Sequence, residues 1–192
     1  VTHGGRSPLG LTLKMFDETL HYRDLLVKRL GLADSRTVTP LPDVLAAKDA
    51  TGLRWSYDPD GCCDIRKVEP MKRAKSGLDA WISGRKAFQS VTRQNLPRFE
   101  VEDGRLKINP LGDWTKADLE AWFAEHDLPR HPLEAQGYLS IGCEPCTSKV
   151  LPGEDPRAGR WRGWDKVECG IHSPVSPIGK ADPEDPANQP VF

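Results

Sequence analysis

Five cysteines constrain this chain more than any other feature. Four of them form two close pairs, the adjacent Cys62 and Cys63 and the pair Cys143-x-x-Cys146, and the fifth is Cys169. Four thiolates are the number that holds a tetrahedral zinc ion or a four-iron cluster. An odd number of cysteines excludes complete internal disulfide pairing, and no charged-then-apolar signal peptide opens the chain. We therefore expect a protein of the reducing cytoplasm.

The spacing within each pair bears on which metal the thiols would hold. A CxxC loop can turn two thiolates toward one centre, whereas directly adjacent cysteines normally point apart unless the backbone bends. The iron corners of a cubane also lie apart, so the adjacent Cys62 and Cys63 favour a cluster over a single zinc ion. Two alternatives stay open: structural zinc, and thiols that are buried as ordinary apolar side chains.

The fifth cysteine is a candidate nucleophile. Cys169 is followed by Gly170, which gives backbone freedom, and by His172, which can stabilise a thiolate or an anionic substrate. A cysteine near a histidine also occurs without any catalytic role, so this motif alone is weak support for catalysis.

Basic residues shortly before Cys169 predict an anion site. Arg157, Arg160 and Arg162 interleave with Trp161 and Trp164. Guanidinium groups match the oxygens of phosphate or sulfate in a fork geometry that lysine lacks. The alternative is a solvated basic loop whose tryptophans pack on the core.

Two further places offer cations or a ligand-binding loop. Lys67 lies four residues beyond Cys63, at the start of a predicted helix, and can point back toward the thiolates. The polar run 89–93 follows a turn at Gly84, which is typical of a loop that presents Arg93 to a ligand. The ordinary alternative for such side chains is simple exposure to solvent.

Local patterns predict helices that alternate with short strands. Helices are predicted over residues 17–32 with Asp17 as N-cap, over 68–83, and from Thr115 to about Leu128; a strand is predicted over 37–39, and a hairpin over 99–111 with its turn at Asp103-Gly104. Such alternation predicts a layered α/β domain. At 192 residues the chain suits one main domain.

Composition and the two ends narrow the function further. The 27 basic and 28 acidic side chains give a net charge of -1, which predicts no nucleic-acid partner. No stretch approaches the roughly 18 apolar residues of a membrane span. Residues 1–16 are expected to be an irregular or truncated lead-in, and the proline-rich residues 173–192 a mobile tail.

Five motifs occur in order along the chain. They are residues 62–70 (CCDIRKVEP), 142–147 (GCEPCT), 151–155 (LPGED), 157–161 (Arg-x-x-Arg-Trp) and 168–172 (ECGIH). From about Lys14 to His172 the chain resembles the assimilatory adenylyl-sulfate reductases of bacteria and plants, within the wider phosphoadenylyl-sulfate reductase family.

The resemblance implies both a fold and a reaction. The fold would be adenine-nucleotide α-hydrolase-like (PP-loop-like), with a mainly parallel sheet, a nucleotide-binding and iron-sulfur domain over 17–150 and a catalytic segment over 151–172. Cys62, Cys63, Cys143 and Cys146 would hold one 4Fe-4S cluster. The Cys169 thiolate would attack adenylyl sulfate, expel AMP and form S-sulfocysteine, from which thioredoxin or a similar dithiol releases sulfite. The substrate-binding residues would be Lys67, Gly84, Arg93, Arg157, Arg160 and His172.

The chain departs from the family at its start. The Ser- and Gly-rich phosphate loop is not found before Leu13, and the motif at residues 13–20 has leucine and aspartate where glycine and proline are usual. We favour an N-terminally truncated enzyme over a product that binds adenylyl sulfate poorly. The remaining alternatives are a reductase of the 3'-phosphorylated nucleotide and a non-catalytic, zinc-stabilised interaction module; a homo-oligomer is compatible with each.

Overall fold

A computed structural model describes residues 7–10 and 12–172, so the tail predicted at 173–192 lies outside the described residues. Contacts divide the chain into two compact units. The first combines the residues up to Ser76 with Asp127–His172, and the second contains Gly77–His126. The domain boundaries predicted at residues 16, 150 and 172 stay predictions.

The first unit has a parallel strand pair and several helices. Its elements are β1 (Ser7–Gly10), α1 (Asp17–Arg29), β2 (Ser35–Val38), α2 (Pro42–Lys48), α3 (Pro59–Cys63) and α4 (Glu69–Lys75). Strand β1 pairs in parallel with β2, with Ser7 opposite Ser35. The predicted irregular lead-in is therefore wrong for Ser7–Gly10. Four residues that include proline and glycine carry no strand pattern, and it is the ladder with β2 that makes them a strand.

Helix α1 begins at Asp17 as predicted, but its cap differs from the prediction. The N-cap is Phe16, and no side chain caps the helix. The helix ends at Arg29, and Gly31 follows with φ of 60°. The strand predicted at residues 37–39 is confirmed as β2, shifted toward the N-terminus by one to two residues.

The helix predicted over 68–83 is wrong at both ends. It begins at Pro59 and so contains Cys62 and Cys63, passes through a π-helical segment at Asp64–Val68, and ends at Lys75. Gly77, with φ of 79°, turns the chain away. The predicted helix was too long because apolar residues also follow Gly77, where they belong to strand β3 (Ala80–Ile82).

The second unit contains a small mixed sheet and, among its described residues, one α-helix. Its elements are β3, β4 (Phe99–Glu102), β5 (Arg105–Ile108) and α5 (Lys116–Glu125). The order is β3-β5-β4, in which β3–β5 is parallel and β4–β5 is the predicted antiparallel hairpin. Asp103 and Gly104 have φ of 52° and 70°, the values that its tight turn requires. With β1–β2 also parallel, the predicted α/β class is confirmed.

The buried face of this sheet is ionic. The ammonium group of Lys107 is fully buried and contacts Glu102 at 2.5 Å and Glu100 at 3.3 Å, while Arg85 also pairs with Glu100. The apolar residues Phe99 and Val101 face outward, with about half of their surface exposed. The hairpin alternates as predicted, but its charged face is the covered one.

Helix α5 confirms the predicted capping box. Thr115 accepts from the Asp118 N–H at 3.1 Å, and the Asp118 carboxylate accepts from the Thr115 N–H at 2.8 Å. The helix ends at Glu125, three residues before the predicted end. Among residues 12–172 no helix has the length and apolar character needed to cross a membrane.

Candidate active site

The first cysteine pair lies in a helical turn whose start is firmly capped. Asp58 accepts a hydrogen bond from the Gly61 N–H at 2.8 Å and two from Arg54, at 2.7 and 3.0 Å. A β-carbon at Gly61 would lie 2.2 Å from an Arg54 nitrogen, so only glycine leaves room for this pair. The turn therefore holds Cys62 and Cys63 in the core, 7% and 5% exposed.

The π-helical segment directly after the cysteines separates two neighbouring cations. The Arg66 guanidinium is buried and donates to the Asp49 carboxylate at 2.6 and 2.9 Å and to the Thr12 carbonyl at 2.9 Å. Lys67 lies beside the thiols instead. A π turn adds one residue to the helical turn and changes which side chains share a face. Sequence reasoning missed the anchoring role of Arg66, although the residue stands in the quoted motif.

The second cysteine pair is joined to the chain near Thr12. Met15 and Cys143 form an antiparallel bridge, and the Glu144 N–H donates to the Lys14 carbonyl at 2.8 Å. The Cys143 thiol donates to the Thr12 hydroxyl at 3.2 Å. Cys143 is buried and Cys146 is half-buried. Thr12 thus contacts both Arg66 and Cys143, and so connects the two halves of the thiol cluster.

Charge interactions connect the two cysteine pairs with each other and connect Cys63 with Cys169. Burial raises the pKa of Cys62 to about 11. The Arg66 cation lowers this pKa, whereas Cys143 and Cys146 raise it further. Burial likewise raises the pKa of Cys63 to about 11; Lys67 and Lys166 lower it, and Cys169 and Cys143 raise it. Charge interactions thus link predicted ligands of both pairs and the predicted nucleophile.

Lys67 and Arg160 are the cations that face this group of thiols. Burial lowers the pKa of Lys67, but the thiols of Cys143, Cys63 and Cys169 outweigh burial and raise it overall. Burial lowers the pKa of Arg160, as does the nearby Arg157 charge, whereas the thiols oppose that shift. Lys67 is therefore a half-buried residue whose ammonium group the surrounding sulfur atoms stabilise as a cation.

Arg160 occupies a close-fitting position. It donates to the Ile141 carbonyl at 3.3 Å, and its guanidinium lies 4.4 Å from the centre of the Trp161 ring. A β-carbon at Gly142 would lie 2.3 Å from an Arg160 nitrogen. Within the described residues the buried Arg160 Nε has no hydrogen-bond partner. The side chain can therefore donate to an anion at this position.

Arg157 contacts the segment that carries the candidate nucleophile. Its guanidinium donates to the Val167 carbonyl at 2.6 Å and pairs with Glu168 at 3.3 Å. Lys166 pairs with Asp60, in the helix that carries the first cysteine pair. In this structure Arg157 therefore positions the residues before Cys169, a role that the sequence did not predict.

Four predicted residues remain to be placed: Arg162, His172, Gly84 and Arg93. Arg162 pairs with Glu154 at 2.8 Å, and His172 is half-buried at the end of the described chain. Gly84 and Arg93 belong to the second unit, where Arg93 ends a short turn and donates to Gln89 at 3.1 Å. Their roles in substrate binding stay predictions.

The four thiols predicted as ligands can be compared with what a zinc ion and a four-iron cluster each require. Among residues 7–10 and 12–172, no three His, Cys, Asp or Glu side chains are grouped closely enough for one metal ion. Zinc needs its sulfur ligands at about 2.3 Å from a single point, whereas a cubane takes one thiolate at each of four separate irons. Four neighbouring thiols, most of them buried, next to the Lys67 cation are a donor set that suits the cluster.

A cavity of about 260 Å³ lies beside this site. Three tryptophans dominate its wall, and the complete lining is Trp55, Pro145, Cys146, Thr147, Ser148, Gly159, Trp161, Arg162 and Trp164. Cys146 therefore has a surface that solvent can reach. Sequence reasoning did not predict this cavity, because Trp55 lies about 90 residues from the other members.

The fold and the site together define an α/β protein with a thiol cluster and half-buried cations beside it. The family model of the phosphoadenosine phosphosulfate reductase domain matches residues 11–149, and the chain belongs to that family, as its motifs predicted. Cys169 and the arginines before it lie beyond the matched residues.

Individual relatives agree with this assignment. The chain is 50% identical over 161 residues to an adenosine 5'-phosphosulfate reductase of Mesorhizobium japonicum, covering 84% of this chain and 63% of the relative. It is 51% identical over 185 residues to one of Burkholderia cepacia, covering 89% and 74%. A crystal structure of phosphoadenylyl-sulfate reductase from Candida auris in a phosphate complex superposes with a TM-score of 0.61 at 30% identity, covering 78% of this chain and 73% of that one. The chain thus spans less than two thirds of the length of the first relative.

Proposed function

We propose that this chain carries out the reaction of an adenylyl-sulfate reductase, which converts adenylyl sulfate to sulfite and AMP. The observation that carries the proposal is the proximity of Cys169 to the Lys67 ammonium and the Arg160 guanidinium, whose pKa values both respond to that thiol. A nucleophile next to half-buried cations suits attack on a crowded anionic sulfur. The names of the two bacterial relatives point to the same substrate.

The reaction would proceed through a covalent intermediate. The Cys169 thiolate forms a bond to the sulfate sulfur, and the bond from that sulfur to the phosphate oxygen breaks, so that AMP leaves with the electron pair. A dithiol such as thioredoxin then attacks the Cys169 sulfur and releases sulfite, and its second thiol frees Cys169 as the dithiol becomes a disulfide. The two electrons lost by the dithiol reduce the sulfate sulfur to sulfite.

Cations of this chain would stabilise the transition state. Lys67 and Arg160 neutralise the sulfate oxygens, and Arg157 keeps the residues before Cys169 in place through Val167. That His172, Gly84 and Arg93 also bind substrate stays a prediction of the sequence.

Cys62, Cys63, Cys143 and Cys146 would hold one 4Fe-4S cluster. When bound, the cluster supplies structural support and negative charge rather than electrons for turnover. The Lys67 ammonium, which lies beside Cys63 and Cys143 as well as Cys169, would then be held between the ligand thiolates and the substrate. A cytoplasmic location accompanies this proposal as a prediction of the sequence, and a homo-oligomer is compatible with it.

The central test follows the sulfur atom. Purified anaerobically, the protein should contain iron and acid-labile sulfide, and with adenylyl sulfate alone it should gain the mass of one SO₃ group on Cys169. Addition of reduced thioredoxin should release sulfite. Cys169→Ser should lose the adduct and keep the cluster absorbance, whereas Cys143→Ser should lose the cluster. An adduct that persists in Cys169→Ser, or a colourless protein with one zinc ion, would contradict the proposal.

The 3'-phosphorylated nucleotide is a second candidate substrate. The solved Candida auris protein, 30% identical to this chain, is named for that substrate. The two cysteine pairs favour adenylyl sulfate, because the resemblance links them to the reductases of the unphosphorylated nucleotide. Sulfite release should be compared at matched concentrations of the two nucleotides, and equal turnover would contradict the preference.

A further inference from the structure

Trp161 contacts three cations with one ring. The Arg160 guanidinium lies 4.4 Å from the ring centre, the Lys166 ammonium 5.4 Å and the Lys67 ammonium 5.6 Å. Energetically significant cation–π contacts occur roughly once in 70–80 residues of a protein. Three of them on a ring that is only 3% exposed therefore call for an explanation beyond packing.

The backbone of Trp161 adopts a conformation that its side chain disfavours. Its φ is 47°, in the left-handed region that bulky residues rarely enter. The Trp161 N–H donates to the Cys146 carbonyl at 3.0 Å, and the preceding Arg160 forms a β-bridge with Thr147. The surrounding contacts thus hold the indole against its local preference, and such strain is concentrated at functional sites.

The three cations also share a position beside the thiols. Lys67 and Arg160 each interact with Cys169, and Lys166 interacts with Cys63. The Lys166 side chain is 7% exposed and pairs with Asp60, which is itself at the surface. Like charges repel in a poorly solvated region, and the negative face of an aromatic ring is one of the few groups that attracts several at once.

We propose that Trp161 is a positioning residue whose ring gathers Lys67, Arg160 and Lys166 into one cation cluster beside Cys169, and that Lys166 is a third cation for the sulfate group. The inference rests on the proposed function, and it adds two residues that the motif reasoning did not assign. The ring touches no reacting atom. Its effect is to set the distances between charges that would otherwise separate.

Variants of the ring separate this role from packing. Trp161→Phe keeps an aromatic face, Trp161→Leu removes it, and Trp164→Leu is the matched control at a half-exposed tryptophan three residues further on. At limiting adenylyl sulfate, the rate of adduct formation should fall at least about tenfold in Trp161→Leu, because the cation–π contacts with three cations are lost together. Trp161→Phe should recover most of that loss, and Trp164→Leu should match the wild type.

Further measurements show whether the variants are folded and test the contribution of the cation cluster separately. Circular dichroism and iron content should be unchanged in Trp161→Phe. Lys166→Met, which keeps the aliphatic stem over the ring, should also raise the KM several-fold with a smaller change in kcat. Isothermal titration with inorganic sulfate should show weaker binding to both Trp161→Leu and Lys166→Met than to the wild type.

The outcomes distinguish this inference from the proposed function. If the wild type forms no adduct but binds sulfate in a way that depends on Trp161, the proposed reaction fails and the cation cluster stands. If the adduct forms and folded Trp161→Leu and Lys166→Met react as the wild type does, the inference is overturned. Equal losses in Trp161→Phe and Trp161→Leu would also overturn it, because the aromatic face would then not be the property that matters.

Discussion

The Arg160 guanidinium lies against the α-carbon of Gly142, so close that a β-carbon there would stand 2.3 Å from one of its nitrogens and 2.5 Å from its central carbon. Gly142 directly precedes Cys143, and Arg160 lies nine residues before Cys169. The missing side chain at Gly142 therefore determines where a cation of the proposed active site can be. This relationship gives the first prediction.

Gly142→Ala should displace Arg160 without unfolding the protein. The clashing atoms are the far end of a flexible side chain, so the guanidinium can move away while the backbone stays. If Arg160 contacts the sulfate in the transition state, sulfite formation should fall by about 100-fold, the loss that follows removal of one such donor. Steady-state kinetics at saturating thioredoxin measure the change.

The control for Gly142→Ala is the same change in an Arg160→Ala background. With no guanidinium to displace, the added methyl group should cost nothing further, so the two substitutions should be strongly non-additive. Additive losses would mean that alanine at residue 142 disturbs the Cys143 loop directly and that Arg160 is not the mediator.

Asp49→Asn should destabilise the first unit by about 3–5 kcal/mol, because it leaves the buried Arg66 guanidinium without its charge partner. The two side chains are 0% and 7% exposed. Denaturant unfolding at neutral pH measures the loss. Asp34→Asn, which removes an exposed partner of Arg36, is the control and should cost at most about 1 kcal/mol. Equal losses would contradict a buried ion pair.

The same pair predicts an acid dependence of stability. Burial alone raises the pKa of Asp49, but hydrogen bonds from the Arg54 N–H and from Arg66 outweigh it and hold the pKa below its usual range. A lowered pKa in the folded state stabilises the protein above the ordinary pKa, and that contribution is lost as the pH falls through the lowered pKa. Between pH 5 and about pH 3, the wild type should lose more unfolding free energy than Asp49→Asn does.

Lys107→Met should destabilise the second unit by about 3–5 kcal/mol, since it leaves the buried carboxylates of Glu100 and Glu102 without the ammonium between them. Arg98→Met removes an exposed partner of Asp113 and should change stability by about 1 kcal/mol or less. Thermal unfolding of the two variants measures the difference. A stable Lys107→Met protein would show that the ionic face takes up water.

Arg157→Lys should loosen the segment that carries Cys169. A lysine cannot reproduce the guanidinium contacts to both the Val167 carbonyl and Glu168, so deuterium exchange over residues 165–170 should speed up and adduct formation should slow. Arg162→Lys alters an arginine that pairs with Glu154 and should leave both measurements unchanged. Slower adduct formation with unaltered exchange would point to direct substrate contact instead.

The cluster-free protein should show an ordered reactivity of its thiols. Cys146 and Cys169 are partly accessible, whereas Cys62, Cys63 and Cys143 are buried. Iodoacetamide followed by peptide mass spectrometry should label the first two well before the other three, because alkylation needs an accessible thiolate. The raised pKa values of Cys62 and Cys63, about 11 each, lower their reactivity at neutral pH further. Uniform labelling would contradict the buried site.

Local signals account for what was predicted correctly about the fold. The capping box at Thr115 and the Asp103-Gly104 turn each depend on residues within a few positions, so their conformations follow from nearby side chains. Strand β1 and the end of α4 at Lys75 were not predicted. Strand β1 depends on a partner strand about 28 residues away. The end of α4 depends on a turn at Gly77, which was not predicted because the apolar spacing continues on both sides of it.

For the candidate site too, some features were predicted from the sequence and others were not. Its cysteines and arginines stand in five short motifs, and the family that those motifs predicted is confirmed. Arg66 and Lys67 are neighbours in one motif, and consecutive helical side chains do not share a face, so that one anchors Asp49 while the other lies beside the thiols. The position of Lys67 was predicted from its spacing to Cys63, whereas the Asp49 partner of Arg66 was not. The roles that we propose for Trp161 and Lys166 depend on contacts with Lys67 and Asp60, which lie far away in the sequence.

The sequence by itself determined which residues could do chemistry: which thiols form pairs, which cysteine stands alone, and which basic residues precede it. These are properties of residue type and spacing. Tertiary structure decided which of those groups meet, because the pKa of a thiol or the position of a guanidinium depends on burial and on neighbours from other parts of the chain. Arg160 could be predicted as a cation, but its place over Gly142 and Trp161 required the folded chain.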